Sequence, residues 1–147
     1  MSKFMKMLNN VSRSQAIYRQ SKILSEDMHP GHYAFALTVC RAPGRSQEEI
    51  ARDVCLNKST VTRALTELEQ QGYVTRIPNQ NDKRQMLIFP TKKAEKALPQ
   101  VRALAQSFNE AVLEGIEETE LSAFLNVLLR IEENARKLAY QTKEDTL

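Results

Sequence analysis

The chain has 147 residues, of which 41% are hydrophobic and 27% charged, enough for one domain with a real core. Only 4 Gly and no Trp are present, which argues against a strand-rich architecture and for helix. The net charge of +3 is unevenly spread: residues 41–102 hold 12 Lys and Arg against 7 Asp and Glu, and residues 103–147 hold 4 against 9. A basic middle suits a polyanion, although helix surfaces carry such asymmetry without function. The N-terminus MSKFMKMLNNVSR lacks the apolar stretch of a signal segment, and no run approaches the roughly 18 apolar residues of a membrane span. Two cysteines, Cys40 and Cys55, are too few for a disulfide framework and suit a reducing compartment, so a cytoplasmic protein with no membrane contact is expected.

The first segment places Phe4, Met7, Leu8, Val11, Ile17 and Tyr18 at roughly helical spacing. Met28-His29-Pro30-Gly31 interrupts it. A short helix through His32–Cys40, apolar nearly all round, is then predicted to be buried, and Ala42-Pro43-Gly44 ends it. Ser46 and Glu49 fit a capping box for a short helix carrying Ile50, Ala51 and Val54. Asn57 caps the next helix, where Val61, Ala64, Leu65 and Leu68 form a stripe at i, i+3, i+4 and i+7. Ser59, Arg63, Thr66 and Gln70 lie opposite that stripe, with Thr62 beside them, and Gly72 is a natural C′ stop.

Two strands follow, Tyr73–Ile77 and Gln85–Phe89, joined by the polar tip Pro78-Asn79-Gln80-Asn81-Asp82-Lys83-Arg84. Thr91 caps a long helix with apolar residues from Ala94 to Val112, which Pro99 is expected to kink. After Gly115 a last helix carries Leu121, Phe124, Leu125, Leu128, Ile131, Ala135 and Leu138. The terminal stripes exceed what a compact central module covers, and the cheapest partner is a second copy of the chain.

The predicted fold is therefore mainly α with a small two-stranded β wing: a winged helix-turn-helix flanked by N- and C-terminal dimerisation helices. Its expected divisions are residues 1–29 for the N-terminal dimerisation helix, 30–95 for the winged module and 96–147 for the C-terminal dimerisation helices. This plan lays its second helix in the DNA major groove and its hairpin on the flanking backbone.

The chemistry agrees. The second helix opens with Asn57, Lys58, Ser59, Thr60, Thr62 and Arg63, short hydrogen-bonding side chains with two long cations, and Arg63 has the fork that reads guanine O6 and N7. On the wing Lys83 and Arg84 suit phosphates or the minor groove. Asp82 is out of place on an anion-binding tip unless it orients Arg84 or braces the loop by an ion pair. Each feature alone reads as solvated surface; their order and spacing point to double-stranded DNA.

On Ser46-Gln47-Glu48-Glu49-Ile50-Ala51, Ser59-Thr60-Val61-Thr62-Arg63, Leu68-Glu69-Gln70-Gln71-Gly72-Tyr73-Val74-Thr75-Arg76, the Asp82-Lys83-Arg84 wing and Phe89-Pro90-Thr91, the chain resembles the MarR family of bacterial transcriptional regulators. The resemblance covers residues 43–98 well, extends to the final helical pair, and reaches the N-terminus only loosely. It implies a homodimer on a pseudo-palindromic operator, and a repressor released by a small, often anionic aromatic effector. Two departures stand out. Ala94 occupies a place where the family usually has Gly, and Met5 and Met7 stand where its peroxide sensors carry a reactive Cys, so Cys40 and Cys55 are read as inert packing residues.

A pocket for an anion needs a cation and an aromatic wall, for which Arg13, Tyr18, His32 and Phe35 are candidates. His29 and His32 alone do not close a tetrahedral metal site, and no metal or cofactor is expected. No paired carboxylates, nucleophile–base pair or phosphate loop point to an enzyme. The competing reading is a winged-helix protein-interaction module without specific DNA binding, against which the cationic recognition face argues.

Overall fold

Every predicted helix forms, and the boundaries follow the local chemistry. In the computed structural model, which describes residues 3–22 and 28–144, α1 spans Lys3–Lys22, α2 Tyr33–Arg41, α3 Gln47–Asp53, α4 Lys58–Gln70, α5 Lys92–Leu113 and α6 Glu118–Glu144. Residues 1, 2 and 23–27 of the expected N-terminal segment, and 145–147 of the C-terminal one, lie outside the described residues. A 3-10 turn at Pro30–His32 leads into α2, with the His29 Nδ1 accepting from the Gly31 N–H at 3.1 Å. Pro99 sits inside α5, which runs on through it as one helix.

Three strands form where two were expected. β2 (Val74–Pro78) and β3 (Met86–Pro90) pair antiparallel, Arg76 opposite Ile88, each starting one residue later than the pattern suggests. β1 is only Arg45–Ser46, paired with Ile88 and Leu87, so the sheet order is β1-β3-β2. This third strand explains the glycine before it. Gly44 has φ +80, its N–H donates to the Ile88 carbonyl at 2.8 Å, and an added Cβ would lie 3.1 Å from the Phe89 ring. Both the backbone angle and the close ring demand glycine.

The chain divides into two compact units, Met1–Asn109 and Glu110–Leu147. The core of the first joins α2, α3, α4 and the sheet. Val61, Leu65 and Leu68 are wholly buried at 0% exposure and meet Val39, Ile50, Val74 and Ile88. At roughly 1.5–3 kcal/mol per fully buried aliphatic side chain, this cluster fixes the orientation of α4. Ser46 and Glu49 form the capping box: the Glu49 carboxylate accepts from both the backbone N–H and the hydroxyl of Ser46, each at 2.7 Å. At the other end of α4, Gly72 (φ +74) closes a Schellman motif, with Tyr73 N–H donating to Leu68 O at 2.8 Å and Gly72 N–H to Glu69 O at 2.9 Å.

The two units differ in burial. Among the described side chains of α6 none is buried, and Phe124, Leu125, Val127, Leu129 and Leu138 are each more than half exposed. In the first unit α1 likewise buries none of its residues.

Cys40 packs half-buried against the core, and burial pushes its thiol up, away from reactivity. Cys55 corrects the sequence reading. It is exposed at the turn after α3, with φ +52, and so is no packing residue. Turn geometry, not burial, sets its surroundings. Among the described residues no helix is long and apolar enough to cross a membrane, and no cluster of His, Cys, Asp or Glu is arranged to hold a metal.

Candidate nucleic-acid interface

Burying Val61, Ala64, Leu65 and Leu68 turns the opposite side of α4 outward. Asn57 caps the helix, its Oδ1 accepting from the Thr60 N–H and the Ser59 hydroxyl, each at 2.8 Å. The helix start is thereby ordered, which cuts the entropy that a partner would otherwise have to overcome. Asn57, Lys58, Ser59, Thr60, Thr62 and Arg63 are all exposed.

Their side chains are not equally free. The Thr62 hydroxyl donates to Lys58 O at 2.7 Å and accepts from the Gln47 carboxamide of α3. Its only proton is thus committed inside the protein. Lys58 Nζ lies 2.8 Å from Glu48 Oε1. That hydrogen bond and the ammonium charge hold Glu48 below the usual carboxylate range. Arg63, by contrast, is exposed and its guanidinium makes no hydrogen bond or ion pair among the described residues. Further along, Thr66 accepts from Arg76 of β2 at 2.9 Å, and Arg76 also lies 3.4 Å from Glu69, so this stretch is spent on joining helix to sheet. Sequence reasoning passed over Gln47, Glu48 and Arg76, because each acts across an element boundary.

The wing carries Lys83 and Arg84 at its exposed tip, with no side-chain partner among the described residues. Of the two expectations for Asp82, orienting Arg84 or bracing the loop by an ion pair, the contact found is to the Arg84 backbone and not an ion pair. The Asp82 Oδ1 accepts from the backbone N–H of Arg84 at 3.0 Å, and its carbonyl accepts from Gln85 N–H at 2.9 Å. This is an Asx turn, which shapes the tip through its backbone. A groove of about 290 Å³ separates wing from helix, lined by Gln47, Glu48, Lys58, Asp82, Arg84 and Gln85 among others.

The four effector candidates scatter. Arg13 is exposed on α1, and Phe35 is a core residue at 4% exposure. His32 is buried beside α4, its Nε2 3.5 Å from Glu67 Oε2, and burial holds its pKa below the ordinary value. Tyr18 lines a hollow of about 390 Å³ shared with Lys22, Tyr33, Leu104 and Ser107, to whose hydroxyl it bonds at 3.0 Å. A second hollow of about 230 Å³ is lined by Gln15, Arg19, Tyr33, Leu37, Leu104 and Phe108 among others, and the Arg19 Nε is buried there without a partner. Its cation and aromatic wall are Arg19, Tyr33 and Phe108.

Residues 38–86, which contain the helix-turn-helix and most of the wing, match the model of the MarR family. The HTH-type transcriptional regulator YybA of Bacillus subtilis (strain 168) is 28% identical over 111 residues, 76% of this chain and 74% of that protein. The crystal structure of the transcriptional regulator SlyA is 25% identical with a TM-score of 0.85, covering 96% of this chain and 99% of that one. The fold is also shared, at a TM-score of 0.90 and 22% identity over 98% of this chain and 96% of the other, with a MarR family transcriptional regulator from Listeria monocytogenes solved in complex with a 26mer DNA. Residues 38–86 thus carry the pattern of the MarR family, and along nearly its whole length the chain is similar in fold to the transcriptional regulator SlyA.

Proposed function

We propose that this regulator is a repressor that binds a pseudo-palindromic operator as a homodimer and releases it when a small anionic aromatic ligand binds. The observation that carries the DNA reading is the outward face of α4. Arg63 stands on it with no side-chain partner among the described residues, opposite a stripe in which Val61, Leu65 and Leu68 are 0% exposed, and the wing tip adds Lys83 and Arg84. A face so held has no use in the core and the right chemistry for base edges and phosphates. Asn57, Lys58, Ser59 and Thr60 border Arg63, while Thr62 and Asp82 shape the surface from within. The relative from Listeria monocytogenes that was solved with DNA supports this reading, as does the basic balance of residues 41–102. That cationic face also disfavours the protein-interaction reading.

The dimer reading rests on unburied apolar surface. In α6, Phe124 is 56% exposed and Leu138 69%; in α1, Val11 is 58% and Ile17 68%. Such runs of apolar side chains are expensive to leave in water and suit an isologous interface. A ligand reading rests on Arg19, which lines a hollow with Tyr33 and Phe108 and whose buried Nε has no hydrogen-bond partner. These are the chemical requirements stated for an anionic aromatic compound, met by Arg19 rather than Arg13. A protein that acts on DNA this way works in the cytoplasm. A gel shift with the DNA upstream of the protein's own coding region tests the reading. Retarded migration that survives excess unrelated duplex is expected, and identical behaviour on unrelated duplex would overturn sequence-specific recognition.

A further inference from the structure

Glu48, in the first turn of α3, is an acid on a face proposed to meet an anion. Glu49, its neighbour, already supplies the capping-box carboxylate of α3. The Glu48 and Lys58 side chains are 58% and 67% exposed, and ion pairs in water at such sites add little to stability. Yet Glu48 lies on the groove between α3, the start of α4 and the wing, beside Arg84, and takes up the one ammonium at the start of α4.

We propose that Glu48 is an electrostatic brake: by pairing with Lys58 it withholds that charge from the DNA backbone and so keeps the affinity for arbitrary duplex low. This rests on the DNA-binding reading above and deepens it. The physical reason is counterion release. A lysine that neutralises a phosphate releases a condensed cation and steepens the salt dependence, whereas a lysine already neutralised by a carboxylate releases none. Lys58 therefore acts as a conditional contact, and Glu48 as the positioning residue that sets its condition. The four unmasked charges of the face would then be Arg63, Lys83, Arg84 and, once Glu48 is neutral, Lys58.

The test uses full-length protein and a fluorescently labelled duplex of arbitrary sequence, titrated at several salt concentrations. Glu48→Gln should steepen the slope of log K against log salt by about 0.9 per chain, and tighten binding about eightfold per chain at roughly 0.1 M salt, the gain vanishing near 1 M. Adding Lys58→Met to Glu48→Gln should abolish the gain. A slope that does not steepen in Glu48→Gln overturns the brake. A gain that persists in the double variant assigns the effect to the bare carboxylate charge and overturns the pairing. A parent that binds no duplex at any salt would sink the DNA reading and this inference with it. Binding by the parent with no response in the variant sinks the inference alone.

Discussion

The wing tip offers a case in which two effects predict opposite signs. Asp82→Ala removes a negative charge from a surface proposed to meet phosphates, so Coulomb attraction alone should strengthen binding. With a phosphate about 8 Å away in water, one pair of charges is worth about 0.5 kcal/mol, and screening at physiological salt leaves roughly 0.2. Against this stands the Asx turn, in which the Asp82 carboxylate accepts from the Arg84 N–H at 3.0 Å and presents Lys83 and Arg84. Losing one such hydrogen bond costs about 1 kcal/mol, paid when the loosened tip is ordered on DNA. The net expectation is a weakening of about 0.8 kcal/mol, or roughly fourfold. Asp82→Asn separates the two effects, since its amide oxygen keeps the acceptor while the charge is gone. It should bind as well as the parent or slightly more tightly. Fluorescence anisotropy at several salt concentrations, with the same duplex for all three proteins, measures both. If Asp82→Ala binds more tightly than the parent at every salt, the bracing role is wrong. Equal weakening by Asp82→Asn would also defeat it, because the acceptor would then not be what matters.

Arg63→Ala should cost about 1–3 kcal/mol of specific operator binding if Arg63 reads a guanine, with thermal unfolding unchanged because the side chain is exposed; unchanged operator affinity in a titration would show that the face is misassigned. Leu65→Ala, at a site with 0% exposure, should lower unfolding free energy by about 2–5 kcal/mol in a denaturant titration. Sedimentation at micromolar concentration should give twice the chain mass of 16.8 kDa, and a monomer there would remove the interface argument. His32 gives a pH prediction. Burial holds its pKa below the ordinary 6.5, an effect that outweighs the opposing pull of Glu67 and is reinforced by His29. The unfolded chain then binds the proton more tightly, so this stability is complete above pH 6.5 and drains away as pH falls through the folded value. His32→Leu should flatten the stability profile below pH 6.5, before the carboxylates titrate, and an unchanged profile would show that His32 takes its proton equally in both states.

What was legible in the sequence was what is local. The stripe of Val61, Ala64, Leu65 and Leu68 announces both a helix and its buried side, and from those two facts the outward placement of Arg63 follows. Asn57, Ser46 with Glu49, Thr91 and Gly72 mark boundaries by chemistry confined to a few residues, and each does so here: Thr91 Oγ1, for instance, accepts from the Ala94 N–H at 3.3 Å. β1 was invisible, because two residues show no alternation, and Arg45–Ser46 become a strand only by meeting Leu87 and Ile88, distant in sequence. The left-handed Cys55 leaves no trace either, since the residue type usually chosen there is glycine.

That the four effector candidates do not gather in one hollow has a different reason. Arg13 and Arg19 lie on one helix six residues apart, and composition alone treats them alike. What separates them is how α1 meets α5: Tyr18 bonds Ser107 and its ring lies 5.4 Å from that of Phe108, which fixes the rotation of α1 and turns Arg19, not Arg13, to the hollow. His32 and Phe35 were read from the same short apolar helix start, but the core claims Phe35 and the side of α4 claims His32. The same limit hid the second layer of the proposed DNA face. Gln47 reaches Thr62 and Glu48 reaches Lys58 across the turn between two helices, at separations of 15 and 10 residues. A face drawn from α4 alone therefore counts Lys58 and Thr62 as free contacts. Once α3 is packed against it, one is neutralised and the other already bonded, and the cations left unpaired are Arg63 on the helix and Lys83 and Arg84 on the wing.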